Sequence, residues 1–327
     1  MPVDCNSRPG WRRLGQRVWV WLALGFVGLP IPARSQSILE EALSTFPSQT
    51  VSLQYSNPSQ LRTLASYNTL RERYMGASLQ RLENSLAKLG IHEADIRELV
   101  LAWQPSQKKL VLEGIAEGRF DGGAVARQAA AQGVPATVIS GQKVYCLGPE
   151  AGSSCVTVLQ NSLGAFGTQA ALQGMFATRS GQAPSLSANT QVTGLLNEAQ
   201  GQAPIWGIAV GDAVSKWFRT WMPGQKNLQL DWATTFKDVQ SLAYRIQAAR
   251  DISLEAKLNC TTPQAAQTLR QVLDGLKLFQ SIAWQNMYPN QANPFKSVVV
   301  EARESQVTFN LTADYATLAG ARAVGMP

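Results

Sequence analysis

One histidine, His92, occurs in the whole sequence, and its solitude removes most metal and acid-base chemistry. Three-histidine zinc sites, two-histidine iron sites and His-x-x-Glu-His arrangements each need more than one imidazole per chain. A Ser-His-Asp or Cys-His arrangement would have to use His92, which sits in Gly90-Ile91-His92-Glu93-Ala94-Asp95. That stretch reads as a loop-to-helix junction with an exposed histidine at the helix start. Glu113 and Glu117 fall on one face of a strand, with Asp121 following, but surface carboxylates at such spacing are common. Glycoside-type hydrolysis needs two carboxyl groups at a set separation, at least one with a shifted pKa. The glycines from Gly118 to Gly123 lack the Gly-Lys-Ser/Thr ending of a phosphate loop. No catalytic, cofactor-binding or metal-binding residue is therefore assigned, no cofactor is expected, and the chain is read as non-enzymatic.

Two other groups of residues invite a role. Cys146 and Cys155 flank the turn-forming Gly148-Pro149-Glu150-Ala151-Gly152 on two strand-like runs, well placed to form a disulfide in an oxidising compartment. Cys260 would then be left over; the alternative is that all three are reduced and buried as small hydrophobes. In the segment from Val214 to Met222, Trp217, Phe218, Trp221 and Met222 share one helical face, flanked by Lys216 and Arg219. Such a face suits a membrane interface or an apolar groove. It suits the packing of two domains better still, since it lies just before a candidate boundary.

The elements that must position these residues have legible signatures. Downstream, Leu242, Tyr244, Ile246 and Ala248 alternate with polar residues, and Ile252, Leu254, Ala256 and Leu258 repeat the pattern, as in two paired strands buried on one face. Thr262-Pro263 supplies an N-cap and a first-turn proline to a helix with Ala265, Leu269, Val272, Leu276, Phe279 and Ala283 on one stripe. Two more alternating runs, around Val298–Ala302 and Val307–Leu311, complete a ββαββ order. A looser ββαββ order precedes it: strands at 99–103 and 110–112, a helix capped by Asp121, and strands at 136–139 and 144–147. These upstream strands are apolar on both faces and should be covered on both. Helices are expected at 69–89, 168–177, 190–199 and 212–222, with a strand at 205–210. The fold class read from this pattern is α+β: two mainly antiparallel sheets, each with a ββαββ order and helices packed on its faces, a duplicated architecture. The expected divisions are residues 1–35, a domain over 36–224 and a ββαββ domain over 225–327, with Pro223-Gly224 at the boundary.

Residues 1–35 read as a secretory signal peptide. Arg8, Arg12, Arg13 and Arg17 precede an apolar run from Val18 to Ile31, and Ala33-Arg34-Ser35 makes a small-residue cleavage site. The run is shorter than the roughly 20 residues a membrane span needs, so no transmembrane segment is expected after cleavage. Of the 29 basic and 22 acidic residues, five and one lie in this segment, leaving 24 against 21, a net charge of +3. Nucleic-acid binding is excluded on that ground, because the remaining chain lacks both a basic run and a large positive charge.

Several short phrases in order, Gly118-Arg119-Phe120-Asp121, Val144-Tyr145, Ser185-Leu186-Ser187-Ala188-Asn189 and Thr262-Pro263-Gln264-Ala265-Ala266, resemble a family of exported bacterial proteins, typical of acidobacteria, with no assigned function. The resemblance spans about residues 38 to 320 and departs at Gly122, where such sequences often carry proline. It implies an envelope location and an α+β fold, and brings no catalytic residue with it. The expected function is that of an exported protein of the periplasm or cell envelope that binds an envelope protein or an apolar ligand without catalysis. The alternatives are a carrier of a lipid-like molecule, held between curved duplicated sheets, and a histidine-independent hydrolase.

Overall fold

The computed structural model describes residues 37–74, 77–106, 109–150, 152–221, 231–249 and 251–320. The expected signal segment and the Pro223-Gly224 boundary lie outside the described residues. In chain order the first elements are α1 (Ile38–Thr45), β1 (Ser52–Ser56), α2 (Pro58–Leu61), α3 (Tyr67–Tyr74), α4 (Ala77–Ala87), β2 (Ile96–Ser106) and β3 (Lys109–Gly118). Next come α5 (Gly122–Ala131), β4 (Ala136–Ile139), β5 (Gln142–Cys146), β6 (Cys155–Gln160), β7 (Leu163–Gly167), α6 (Gln169–Arg179), α7 (Thr190–Ala199), β8 (Ile205–Val210) and α8 (Asp212–Trp221). The last are α9 (Trp232–Thr235), β9 (Val239–Ala248), β10 (Ile252–Cys260), α10 (Pro263–Met287), β11 (Val299–Arg303), β12 (Gln306–Ala313) and α11 (Tyr315–Gly320).

Helix starts follow their side-chain caps. Ser37 and Glu40 form a reciprocal capping box at α1. The Asp121 carboxylate accepts from the Gly123 and Ala124 amides at 2.8 and 3.0 Å, and the Thr262 hydroxyl accepts from the Ala265 amide at 3.1 Å, ahead of Pro263. Asn189 caps α7 through its carbonyl oxygen and donates its amide to the Ser48 carbonyl at 2.8 Å, which ties the helix start to the chain entering β1.

The two expected sheets do not exist as separate bodies. All twelve strands of the described residues lie in one sheet, ordered β11-β12-β10-β9-β8-β1-β2-β3-β7-β6-β5-β4, and every pairing described in it is antiparallel. Both ββαββ orders survive along the chain, but their strands are merged. In the upstream half β7 and β6 intervene between β3 and the β5-β4 pair. The merger follows from β8, which pairs with β1 from Ser52↔Ala209 to Ser56↔Ile205 and with β9 from Ile205↔Ile246 to Val210↔Ser241. Were the sheets separate, β1 and β9 would each present an unpaired edge of backbone N–H and C=O groups.

Strand register divides the side chains between two faces. The back face carries Leu53, Val100, Ile115 and Ile208, and α1, α6 and α7 close over it with Ile38, Phe46, Leu172, Met175, Val192 and Leu196. On the front face α10 lays Leu269, Leu273 and Leu276 over β9, β10 and β12, and α8 with α9 adds Val214, Phe218 and Phe236. Nearer β5 and β6, α5 contributes Val125 and Ala129 against Tyr145 and Val156. Strands β2 and β3 are enclosed on the back face by α1 and α6, while on the front Leu99, Leu110 and Leu112 stay only half-buried. At the other end the alternation is strict: Leu254, Ala256 and Leu258 point to the front, while Ser253, Glu255, Lys257 and Asn259 point to the back.

The aromatic face of α8 turns inward. Phe218 is buried, its ring 4.6 Å from Phe236 and 5.0 Å from Trp217, and Trp217 lies 4.8 Å from Tyr244. Tyr244 crosses β8 at Gly207, where any side chain would collide with its ring, and donates its hydroxyl proton to Gln54 Oε1 at 2.8 Å. These residues join β9 to β1 over the intervening strand, whereas the Trp221 side chain and Met222 lie outside the described residues. Cys146 and Cys155 stand opposite one another in the β5–β6 pair, joined by a disulfide, and Cys260 is buried.

Phe218→Ala should lower unfolding stability by about 3–5 kcal/mol, read as a fall in the urea midpoint with an unchanged slope. Peptide mapping under non-reducing conditions should return the Cys146 and Cys155 peptides linked, with the Cys260 peptide alkylated only after denaturation.

Candidate functional site

On the front face between α5 and α8 the sheet is covered by α2, which contacts β2, and by α3 and α4, which leave a gap in front of β3 and β7. The residues pointing forward from β3 and β7 there are small: Gly114, Ala116 and Gly164. Phe166 folds its ring into the space over Gly114, within 2.5 Å of where a Cβ would stand, so it forms a side wall rather than a floor. Above lie α2, α3 and α4, whose Leu61, Leu82 and Leu86 face the sheet across the gap. Their spacing from the sheet leaves a hollow of about 290 Å³ with Leu99, Leu101, Phe120, Val156 and Val158 along its walls. Leu99 and Phe166, though mid-sheet, are therefore only half-buried. Leu82 and Leu86 lie on α4, which ends at Ala87, and the turn after it runs through Leu89 to Gly90 at φ +75°.

Charged groups occur on the helical side of the hollow. Arg71 on α3 is ion-paired with Glu83 on α4, and both keep part of their side chains exposed, so this pair sits where the hollow meets solvent. Glu93, in the turn before β2, accepts from Arg62 Nη1 at 2.7 Å and from the Tyr67 hydroxyl at 2.9 Å. Burial, followed by the hydrogen bond to Glu93, pushes the Tyr67 phenol well above its ordinary range. Arg62 also donates through Nη2 to the Ile96 carbonyl at 2.9 Å, fastening the α2–α3 turn to the start of β2. From the sheet the polar contributions are Gln54, Ser56 and Thr157, and two of these are already engaged: Gln54 with Tyr244, Thr157 with the Lys143 carbonyl.

The residues singled out for chemistry are scattered. His92 is exposed, at the start of the 3-10 turn over Glu93–Asp95, and its amide is bonded to the Asp95 carboxylate. Asp121 is a helix cap, and Glu117 pairs with Arg97 at the surface. Glu113 differs from expectation. It shares the back face with Glu117, yet it is wholly buried, because that face lies under α1 and α6. Gln104 donates to its Oε1, while Oε2 is buried with no hydrogen-bond partner. Burial pushes its carboxyl up to about 7, and the Gln104 hydrogen bond offsets this only in part. Among the described residues, no three His, Cys, Asp or Glu side chains converge as metal ligands. A larger hollow, about 540 Å³, lies between α9 and the start of α10, but polar Asp231, Thr234, Lys237, Asp238 and Thr262 line much of it. Asp231 is committed there to capping α9.

No family model matches this chain, and no curated protein sequence matches it. Among solved structures, crystal forms I and IV of TP0453 are similar to it at 11% and 10% identity, with TM-scores of 0.49 and 0.45. Each alignment covers 85% of this chain and 95% of the other. Likeness that weak carries no argument about fold or activity.

Glu113 supports a pH prediction. Its folded-state pKa, about 7, exceeds the unfolded carboxyl value of about 4.3. Stability from the protonated form is therefore complete below the unfolded value and lost as pH rises through the folded one. Glu113→Gln keeps the neutral shape and should remove this loss. Urea titrations at pH 4 and pH 8 should show the variant gaining on the parent by roughly 3 kcal/mol between the two.

Proposed function

We propose that this chain is an exported, non-enzymatic binding protein whose ligand is an apolar molecule held on the front of the sheet under α2, α3 and α4. The observation that carries the reading is the 290 Å³ hollow, walled by leucine, valine and phenylalanine side chains over a floor of alanine and glycine. Ligand pockets typically combine mainly apolar walls with a few polar groups, and the Arg71–Glu83 and Arg62–Glu93 pairs supply those.

Export is supported by the signal-like residues 1–35 and by the cysteine pair, since disulfides persist in oxidising compartments. Among the described residues no helix is long and apolar enough to cross a membrane. A cavity between two curved, duplicated sheets is not what would hold the ligand, since the strands of the described residues lie in one sheet.

The test uses N-phenyl-1-naphthylamine, an uncharged dye that brightens in apolar surroundings. The protein should enhance its emission saturably. Ala116→Phe, which projects a ring from the floor into the hollow, should weaken dye binding roughly tenfold or more while leaving the circular dichroism spectrum unchanged. Absence of saturable enhancement by the parent protein would rule the reading out.

A further inference from the structure

The hollow also constrains what its ligand looks like, if the apolar-ligand reading above holds. We infer that the ligand is a single-chain amphiphile of about ten carbons with an uncharged head group, such as a monoacylglycerol or a fatty alcohol. Its chain would lie over Ala116 and Gly164, and its head would meet Arg71, Glu83, Tyr67 and Glu93.

Volume sets the tail. A methylene occupies close to the space of one water in the liquid, about 30 Å³, so 290 Å³ accommodates about ten of them. Small-molecule pockets run from about 300 to 1,000 Å³, and this one lies at the small end. A two-chain lipid is too large to be enclosed, because its second chain would lie outside the walls.

Charge sets the head. Each guanidinium at the helical side already has its own carboxylate: Glu83 faces Arg71, and Glu93 faces Arg62. Arg62 spends further donors on the Glu93 and Ile96 carbonyls, and Glu93 holds the Tyr67 hydroxyl as well. The set is neutral overall. An anionic head would add a third negative charge beside Glu83 and Glu93, which already neutralise Arg71 and Arg62. Arriving as a cation, the head would face the reverse problem with Arg71. A hydroxyl or ester instead adds hydrogen bonds beside both pairs without breaking either.

Competition for the bound dye tests this. In the parent protein 1-decanoylglycerol should displace N-phenyl-1-naphthylamine at a concentration roughly tenfold below that of decanoate at pH 8. Glu83→Gln frees the Arg71 cation, and the pair it breaks is solvent-accessible, so the fold should stand. In that variant decanoate should gain roughly tenfold relative to 1-decanoylglycerol, and the double variant Arg71→Gln, Glu83→Gln should lose the gain. Decanoate competing as well as 1-decanoylglycerol in the parent protein would overturn the inference, as would an unchanged ratio in Glu83→Gln. Stronger displacement by 1-hexadecanoylglycerol than by the ten-carbon ester would overturn the tail length. A protein that never binds the dye instead refutes the underlying binding reading, so the two failures are distinguishable.

Discussion

Backbone pairing on both sides of β8 is the interaction on which the architecture rests. Ile205 to Val210 hydrogen-bond to β1 along one edge and to β9 along the other, so six residues turn two sets of strands into one sheet. The strand is suited to the position. Its front-facing residues are Ile205, Gly207 and Ala209, small enough at the centre for Tyr244 to lie across them, while Trp206, Ile208 and Val210 fill the core behind. Trp206 stacks on Tyr55 at 5.3 Å, adding an aromatic contact to the β1–β8 pairing.

The same junction decides where the apolar hollow lies. With β1 held between β8 and β2, the forward-pointing positions of β2, β3 and β7 come between α8 on one side and α5 on the other. Neither helix reaches the strip above Ala116 and Gly164, and the segment from α2 to α4 spans it. That roof is fastened by ion pairs and by the Arg62 bonds to the chain entering β2, and by contacts of α2 with β2 and of Leu86 with the cluster around Tyr145 and Val156. Apolar volume under a polar rim is the physical content of an amphiphile site.

Much of the local structure was legible in the residues. Strict alternation from Leu242 to Leu258, the Thr262-Pro263 start of α10, and the runs that became α6, α7, β8 and α8 each announce themselves within a dozen residues. What escaped was long-range. Strand β1 has only Leu53 and Tyr55 as an apolar pair in five residues, and β7 is rich in glycine, so neither stands out against loop sequence. Without those two strands, the orders around β2–β5 and β9–β12 look like separate sheets. Glu113 was read correctly as sharing a face with Glu117, but its burial depends on α1 and α6, which are remote in sequence. The hollow is less visible still, since leucines at 82 and 86 show a helical stripe without showing how far it stands from the sheet.

The place of β1 carries a consequence for the order in which the molecule is made. Ser52 bonds to the Ile208 carbonyl, a partner 156 residues further along the chain, so the strand nearest the N-terminus waits at the middle of the sheet for one of its two neighbours. Pairings so distant close slowly, because loop entropy must be overcome before they reward it. A polypeptide emerging N-terminus first, from a ribosome or through a membrane channel, cannot complete its central ladder until more than half its length has appeared.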